Sequence, residues 1–430
     1  MEGKWAMMTK TVCVVGLGYI GLTSAVMFSN YGMKVHGVDI NPSVVRNINE
    51  KKLHIEEQGL QEMLDRAIDE GMFTASTTPQ EADAFIISVP TPINPNKTAN
   101  LDYVKEATKS IVPYVKKGNL VILESTVPPK TVENIMIPEL MKTGFEIGTD
   151  IYVAHSPERV IPGKIFEELV NNDRIVGGIN EKSAQLTKEL YECFVQGEIH
   201  LTDATTAELV KVMENTYRDM NIAFANELSK IADNIGVNIW EAIQFANLHP
   251  RVNIHFPGPG VGGHCIAVDP WFLVEIGGDN AQIIHHSRHI NDSMPAYTAQ
   301  KTLSILDENN IVGGKVAVLG LAFKGNVNDI RESPSIAVID YLQQLGLEVV
   351  SFDPHIKENN HVTQTQHLEE ATRDADILLV LTDHNEFKTF DPHTITTNHK
   401  IVFDTKNCLN RKVWQNAGFQ YYLLGDAKNR

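Results

Sequence analysis

The 430-residue sequence predicts an α/β fold in which two doubly wound, parallel-sheet halves are joined by a long central helix. Three observations carry this reading. A glycine-rich turn follows an apolar strand near the N-terminus. The same pattern returns in the last third of the chain. A run of helical periodicity separates the two.

Val12–Val15 is a short β-branched run, the mark of a strand buried on both faces of a parallel sheet. Gly16-x-Gly18-x-x-Gly21 follows at once and opens a helix, with Tyr19 and Ile20 inside the turn. A second strand, Lys34–Val38, ends at Asp39, 23 residues after Gly16, where a carboxylate can grip a ribose. The glycines serve a tight turn, close backbone approach to a pyrophosphate and close helix packing, and the helix N-terminus faces the phosphate charge. Such glycines also arise by chance in ordinary turns. Here the strand before, the helix after and the acid at the right distance make this a Rossmann-like, dinucleotide-binding pattern. An acid at position 39 favours NAD over NADP.

Lys315–Gly320 is again a strand running into glycine, and Gly320-x-Ala322-x-x-Gly325 is a degenerate form of the first fingerprint. Glu348–Phe352 then ends at Asp353, as the second strand ends at Asp39. Ala82–Pro90 matches Ala375–Asp383, and Leu120–Thr126 matches Ile401–Lys406. The second copy spaces its glycine and acid ten residues further apart, and the extra length falls in 323–334. That insertion carries Phe323, Lys324 and Arg331 toward the strand ends, where such sheets bind ligands. A solvated polar loop is the plain alternative to a second anion site.

Between the halves, Thr205–Ile235 has helical periodicity through Leu209, Val212, Met213, Tyr217, Ile222 and Phe224. Thr205 and Thr206 followed by Glu208 read as the capping signal, Gly236 ends the helix, and a shorter helix covers Asn238–Asn247. A long joining helix has apolar surface to bury, which points to a homodimer. The expected division is 1–204 for cofactor binding, 205–300 for the central helical region and 301–430 for the second α/β domain.

The formal net charge of −17 argues against nucleic-acid binding, which needs a basic face. No apolar run reaches the ~18–20 residues of a membrane span, and Met1–Lys10 holds no secretory apolar region. Met7 and Met8, just before the first strand, suggest that the first seven residues are a tag or an extended start. Four scattered cysteines without a CxxC predict a reduced, cytoplasmic protein.

The segment 256–272, FPGPGVGGHCIAVDPWF, surrounds Cys265 with glycines and prolines. Glycines let a backbone approach a ligand and offer N–H groups to an oxyanion. A lone cysteine is often only a small buried hydrophobe, which suits Cys13 inside its strand better than Cys265 beside His264. No other Cys or His stands at ligand spacing from this pair, so no metal is expected. Lys211, Asn215 and Arg218 fall at i, i+4 and i+7 on one face of the long helix. That is either a solvated stripe or a cation and an amide that stabilise an alkoxide. Thr91, Thr126 and the run Ser156-Pro157-Glu158-Arg159 end other strands and line the cofactor crevice, unless they are simple turns. The remaining histidines, His285 and His286 included, show no partner pattern and read as structural.

These pieces resemble the UDP-glucose/UDP-N-acetylmannosamine dehydrogenase family over nearly the whole chain. The resemblance rests on GLGYIG, VPTP, EST, SPER, AELVKVMENTYRDMNIAFANEL and GVGGHCIAVDPW. It implies oxidation of a sugar-nucleotide C6 alcohol to an acid with two NAD per turnover. It implies Cys265 as nucleophile, Lys211 as acid/base and oxyanion partner with Asn215 beside it, and Arg251 reaching the substrate of an adjacent subunit. Arg159, Val160, Arg218, His249 and Gly262 resemble residues lining the sugar-nucleotide site. Phe323 and Lys324 are implied as substrate contacts and Arg331 as a cofactor contact. Val268 and Pro162 depart from the UDP-glucose branch and, with their neighbours, resemble the UDP-N-acetyl-D-mannosamine branch. UDP-N-acetylglucosamine and UDP-glucose remain alternative substrates, as do a two-electron alcohol dehydrogenase and a catalytically dead nucleotide sensor as alternative functions. Glu158 and Asp269 are both candidates for the hydrolytic base.

Overall fold

The computed structural model describes residues 10–427 except 56, 162, 358 and 360, so the expected extended start lies outside the described residues. The chain forms two compact units, 1–214 with 271–278 and 215–270 with 279–430.

The first unit holds β1 (Thr11–Val15), β2 (Lys34–Val38), β3 (Phe73–Ser76), β4 (Ala84–Ile87), β5 (Leu120–Leu123), β6 (Tyr152–His155), β7 (Arg174–Gly178) and β8 (Ile199–Asp203). They form one sheet in the order β3-β2-β1-β4-β5-β6-β7-β8. Strand β1 shows why the apolar run is continuous. Val12 and Val14 pack with Phe28 and Leu22 on one face, while Cys13 and Val15 pack with Phe85 and Leu123 on the other. A parallel strand covered on both faces has no polar side to alternate with. The pairings are parallel except that β7 runs antiparallel to β6.

The second unit contains β9 (Lys315–Leu319), β10 (Glu348–Phe352), β11 (Gln364–Thr365), β12 (Ile377–Val380), β13 (Ile401–Asp404) and β14 (Gln420–Leu423). They form an all-parallel sheet in the order β11-β10-β9-β12-β13-β14. The expected echo is present, with one correction. Gly325 does not open a helix, because the helix after β9 begins only at Pro334. Gly325 stands in the inserted loop, where a Cβ would meet the Asp383 carbonyl oxygen at 2.7 Å.

The long helix spans Ala204–Ile235 and ends at Gly236, whose φ of +74° an L side chain resists. Its cap is not the expected one. Asp203 accepts from the Thr206 N–H at 2.9 Å and the Thr206 hydroxyl at 2.6 Å. Glu208 is fully buried and accepts instead from the Lys130 N–H at 2.5 Å and the Val132 N–H at 2.8 Å. The apolar period is real, with Val212 buried and Ile222 half-buried, but most of its residues stand exposed. Leu209, Met213, Tyr217, Phe224, Ile231 and Ile235 are exposed, while Asn215, Thr216, Asp219, Asn226 and Ser229 are buried. Several of these buried polar groups are paired, although among the described residues Asp219 Oδ2 has no hydrogen-bond partner. Asp219 pairs with Arg288 at 2.5 Å and accepts from Asn291, and Asn226 bonds to Asn291 at 2.9 Å.

Candidate active site

In the first unit, the turn after β1 is built for a dinucleotide. Gly16 has φ +97°, and a Cβ there would lie 2.2 Å from the Ser88 carbonyl oxygen. A Cβ on Gly21 would lie 1.9 Å from the Gly16 carbonyl oxygen, so the helix Tyr19–Asn30 packs against the turn at glycine distance. Gly18 is exposed and meets nothing within 4 Å, which leaves its backbone open to an approaching phosphate. No side chain caps this helix, so its first N–H groups face that approach. Asp39 is partly exposed, with one oxygen on the Leu17 N–H at 3.1 Å and the other on the Asn41 N–H at 2.9 Å. Its carboxylate is thereby fixed beside the turn.

Other expected residues also meet. The Thr91 hydroxyl donates to the Thr126 carbonyl at 2.6 Å, and the Ser125 hydroxyl bonds the Val89 backbone. Ile20 is half-buried in the first turn of the helix. The Tyr19 hydroxyl donates to Glu57 at 2.5 Å, and Glu57 also accepts from the Gly163 and Ile165 N–H groups. Burial and Glu57 push the Tyr19 hydroxyl well above its ordinary range, so it stays a donor. Glu57 went unseen in the sequence because it belongs to no motif.

Glu158 follows β6, with one oxygen on the Arg159 N–H at 2.7 Å and the other on Arg174. Arg159 pairs with Glu214 at 2.8 Å, and Val160 packs on the first core. His155, read as structural, is fully buried. Burial, reinforced by the Lys211 charge, lowers its pKa to about 3, so its ring is neutral. Lys211 itself is half-buried on the long helix.

In the second unit, Cys265 is the exposed cysteine of the four. Burial pushes the thiols of Cys13 and Cys193 up to about 11 and about 12, and that of Cys408 higher still. A reactive thiolate needs access, which the buried Cys13 lacks and the half-buried Cys193 and Cys408 have only in part. The glycines before Cys265 admit the inserted loop. A Cβ on Gly262 would lie 2.4 Å from the Glu332 carbonyl oxygen, and one on Gly263 would lie 2.8 Å from the Phe323 ring. The Gly263 N–H donates to the Arg331 carbonyl at 3.2 Å. Two segments some 60 residues apart in sequence thus form one surface that carries Cys265, Phe323 and Arg331. The Arg331 guanidinium pairs with Asp329 at 2.7 Å, and its charge is further favoured by a thiolate at Cys265. Lys324, Arg218, His249 and Arg251 are exposed, and among the described residues none of the three cations Lys324, Arg218 and Arg251 has a salt bridge.

Asp269 is buried and accepts from the Asn215 side-chain amide at 2.6 Å. The Val268 and Asp269 N–H groups donate to the Cys265 carbonyl at 3.0 and 2.8 Å, which anchors the cysteine to the start of the helix Asp269–Gly277.

Two histidine groups differ from the sequence expectation. His285 and His289, one helical turn apart, bring their Nε2 atoms within 3.1 Å, a partner pattern the sequence reading had not drawn. His355, His384 and Glu386 place potential ligand atoms within 4.8 Å of one another. His384 Nδ1 accepts the Asn326 N–H at 2.9 Å and Nε2 donates to Asp353 at 3.1 Å, so the ring has no lone pair to offer. Asp353, the echo of Asp39, also accepts from the Leu321 N–H at 2.6 Å and the Ala322 N–H at 3.0 Å. Burial would raise its pKa, yet His384 and these amides hold it at about 2.

Comparison with known proteins decides the family. Residues 10–195, 205–293 and 317–411 match, in turn, the NAD binding, central and UDP binding domains of one family. The chain belongs to the UDP-glucose/GDP-mannose dehydrogenase family. It is 50% identical over 97% of its length to the UDP-N-acetyl-D-mannosamine dehydrogenase of Methanococcus vannielii, 97% of which is covered. It is 44% identical over 94% of its length to an NDP-N-acetyl-D-galactosaminuronic acid dehydrogenase of Ralstonia nicotianae, 97% of which is covered. Among solved structures, a UDP-N-acetyl-mannosamine dehydrogenase from S. aureus superposes with a TM-score of 0.90 at 46% identity, covering 97% of this chain and 99% of that one. The NAD binding match encloses the Gly16–Asp39 turn, and its open backbone, uncapped helix and fixed carboxylate fit that cofactor. The UDP binding match encloses Phe323, Lys324 and Arg331. Among the described residues no helix is long and apolar enough to cross a membrane.

Proposed function

We propose that this member of the family is a cytoplasmic UDP-N-acetyl-D-mannosamine 6-dehydrogenase that makes the uronate in two oxidations. The observation that carries the reading is the exposed Cys265 on a glycine-hinged loop, in a chain 50% identical to a dehydrogenase of that substrate. Gly16, Gly18, Tyr19, Ile20, Gly21, Asp39, Thr91, Thr126 and Arg331 hold NAD, which accepts a hydride at each oxidation.

The chain's own residues do the rest. Lys211 receives the C6 hydroxyl proton, directly or through water. The Cys265 thiolate adds to the aldehyde carbon, and Lys211 with Asn215 stabilises the oxygen of the thiohemiacetal. The second oxidation leaves a thioester, and water releases the uronate. Of the two candidate bases, Glu158 is favoured. Asp269 is 3% exposed and already holds Asn215, so it serves as an orienting acceptor. Arg159, Val160, Arg218, His249, Gly262, Phe323 and Lys324 bind the sugar nucleotide. Segments 1–204, 205–300 and 301–430 carry cofactor binding, the central region and UDP-sugar binding.

The working form is a homodimer through the long helix. The exposed stripe from Leu209 to Ile235 supports this, since a single chain leaves it to water. Arg251 of each subunit serves its partner's substrate.

The test is NADH yield from purified protein with UDP-N-acetyl-D-mannosamine, UDP-N-acetylglucosamine and UDP-glucose, with mass analysis of the product. Two NADH per uronate, fastest with the mannosamine, is expected. One NADH with released aldehyde would indicate a simple alcohol dehydrogenase, and none with any sugar would indicate a nucleotide sensor.

A further inference from the structure

The reversed strand of the first sheet has a chemical consequence. Ala154 pairs with Gly178 and His155 with Gly177, and the same register continued past the strand end sets Glu158 opposite Arg174. In a parallel strand the first residue lies at the edge away from ligands. Because β7 runs against β6, its first residue, Arg174, comes to the carboxyl edge instead.

Arg174 is 5% exposed and engaged on every side. One nitrogen donates to Glu158, and the other donates to the Ser156 hydroxyl at 3.1 Å. The guanidinium lies 4.1 Å from the centre of the Tyr191 ring. Glu124, fully enclosed at the end of β5, lies 3.9 Å away on the other side. Glu124 accepts from the Tyr191 hydroxyl at 2.6 Å and the Ser24 hydroxyl at 3.2 Å. With the Arg159 N–H on its remaining oxygen, Glu158 has both oxygens held and its side chain 9% exposed.

We propose that Arg174 is a positioning residue that orients Glu158 as a carboxylate for hydrolysis, with Glu124 as the buried second acid of the triad. The proposal rests on Glu158 as the hydrolytic base. Arginine does not give up its proton near neutral pH, so it orients without competing as an acid. Two carboxylates on one guanidinium leave a surplus negative charge. Burial pushes Glu124 up to about 7, with Arg174 opposing and Glu158 reinforcing, so a proton on Glu124 relieves the surplus as pH falls toward that value. In the step served, a water oxygen bonds to the thioester carbon and Glu158 takes one water proton. The C–S bond breaks with its electron pair on the Cys265 sulfur. The acid formed loses the second proton, and no electrons are exchanged.

The test uses the full-length enzyme with NAD and UDP-N-acetyl-D-mannosamine, in Arg174→Met, Arg174→Lys and Glu158→Gln. Stopped-flow NADH, steady-state kcat and KM, and the intact mass of the quenched enzyme are read from about pH 6 to about pH 9. For Arg174→Met we expect a first-turnover NADH burst like wild type, then turnover slowed about 10²-fold, with both KM values within about threefold. The thioester on Cys265 should accumulate. Arg174→Lys keeps the charge without the fork and should fall between, which preserves the test if the methionine variant misfolds. Arginine variants that turn over without thioester build-up, beside a Glu158→Gln that accumulates thioester, overturn the inference alone. A Glu158→Gln that turns over like wild type removes the base assignment and the inference with it.

Discussion

The side-chain amide of Asn215 donates to the Asp269 carboxylate at 2.6 Å, and both side chains are buried. The long helix and the cysteine loop are thus joined by one charge-assisted bond, four residues after Cys265. Asn215→Ala leaves a buried carboxylate without that donor, at a cost of about 1.5–3 kcal/mol. Denaturant unfolding should show this loss. Asn215→Asp, which sets a second carboxylate against the first, should cost more, and equal stability of the two variants would contradict the role given to the bond.

On the proposed reaction, Cys265→Ala should abolish uronate formation while NAD binding persists, because that reaction uses the exposed thiol as its covalent trap and the cofactor turn lies elsewhere in the chain. Product mass and NAD titration check the two halves. Acid made near the wild-type rate would sink the nucleophile assignment.

Asp39→Ala should weaken NAD far more than UDP-sugar. The carboxylate holds the Leu17 and Asn41 N–H groups, so its loss loosens the turn as well as removing the proposed ribose grip. Titration calorimetry with each ligand decides, and equal losses would count against it.

Glu208 predicts a pH dependence of stability. Burial pushes its carboxyl up to about 7, against the Val132 and Lys130 amides that stabilise the ion. The folded state therefore binds the proton more tightly than the unfolded chain. Stability from this group is full below about pH 4.5, falls as pH rises to about 7 and is then level, by at most ~3 kcal/mol. Glu208→Gln cannot titrate, so it should gain on wild type as pH goes from about 5 to about 8. Parallel melting curves for the two proteins across that range would refute the shift.

Arg251 and Cys265 give a complementation test of the dimer. Arg251→Ala and Cys265→Ala subunits, each inactive alone, are mixed under conditions that allow exchange. If the arginine serves the partner's substrate, one site of a mixed dimer loses both residues and the other keeps both, so activity partly returns. Verified exchange without recovery would place Arg251 in its own subunit's chemistry.

Much of this protein was legible in its sequence because local physics wrote it there. Val12–Val15, the glycines at 16, 18 and 21, and Asp39 state a strand, a turn and an acid within one short segment, and the structure has all of them. The glycines at 262 and 263 marked a close approach too, but the sequence pointed to a ligand there, whereas Glu332 and Phe323 of the chain's own loop are what they meet. What failed were inferences that needed to know what covers a surface or which way a strand runs. Periodicity in the long helix reports an apolar stripe but not its occupant, and the buried side holds Asn215, Asp219 and Asn226 beside Val212 and several alanines, with Arg288 and Asn291 bonded to Asp219. Thr205 and Asp203 are equally good caps on paper, and the backbone at the end of β8 chose Asp203. Arg174 sits in no motif. Its place beside Glu158 depends on one reversed strand, and strand direction comes from the path of the whole chain, which no local pattern of side chains encodes.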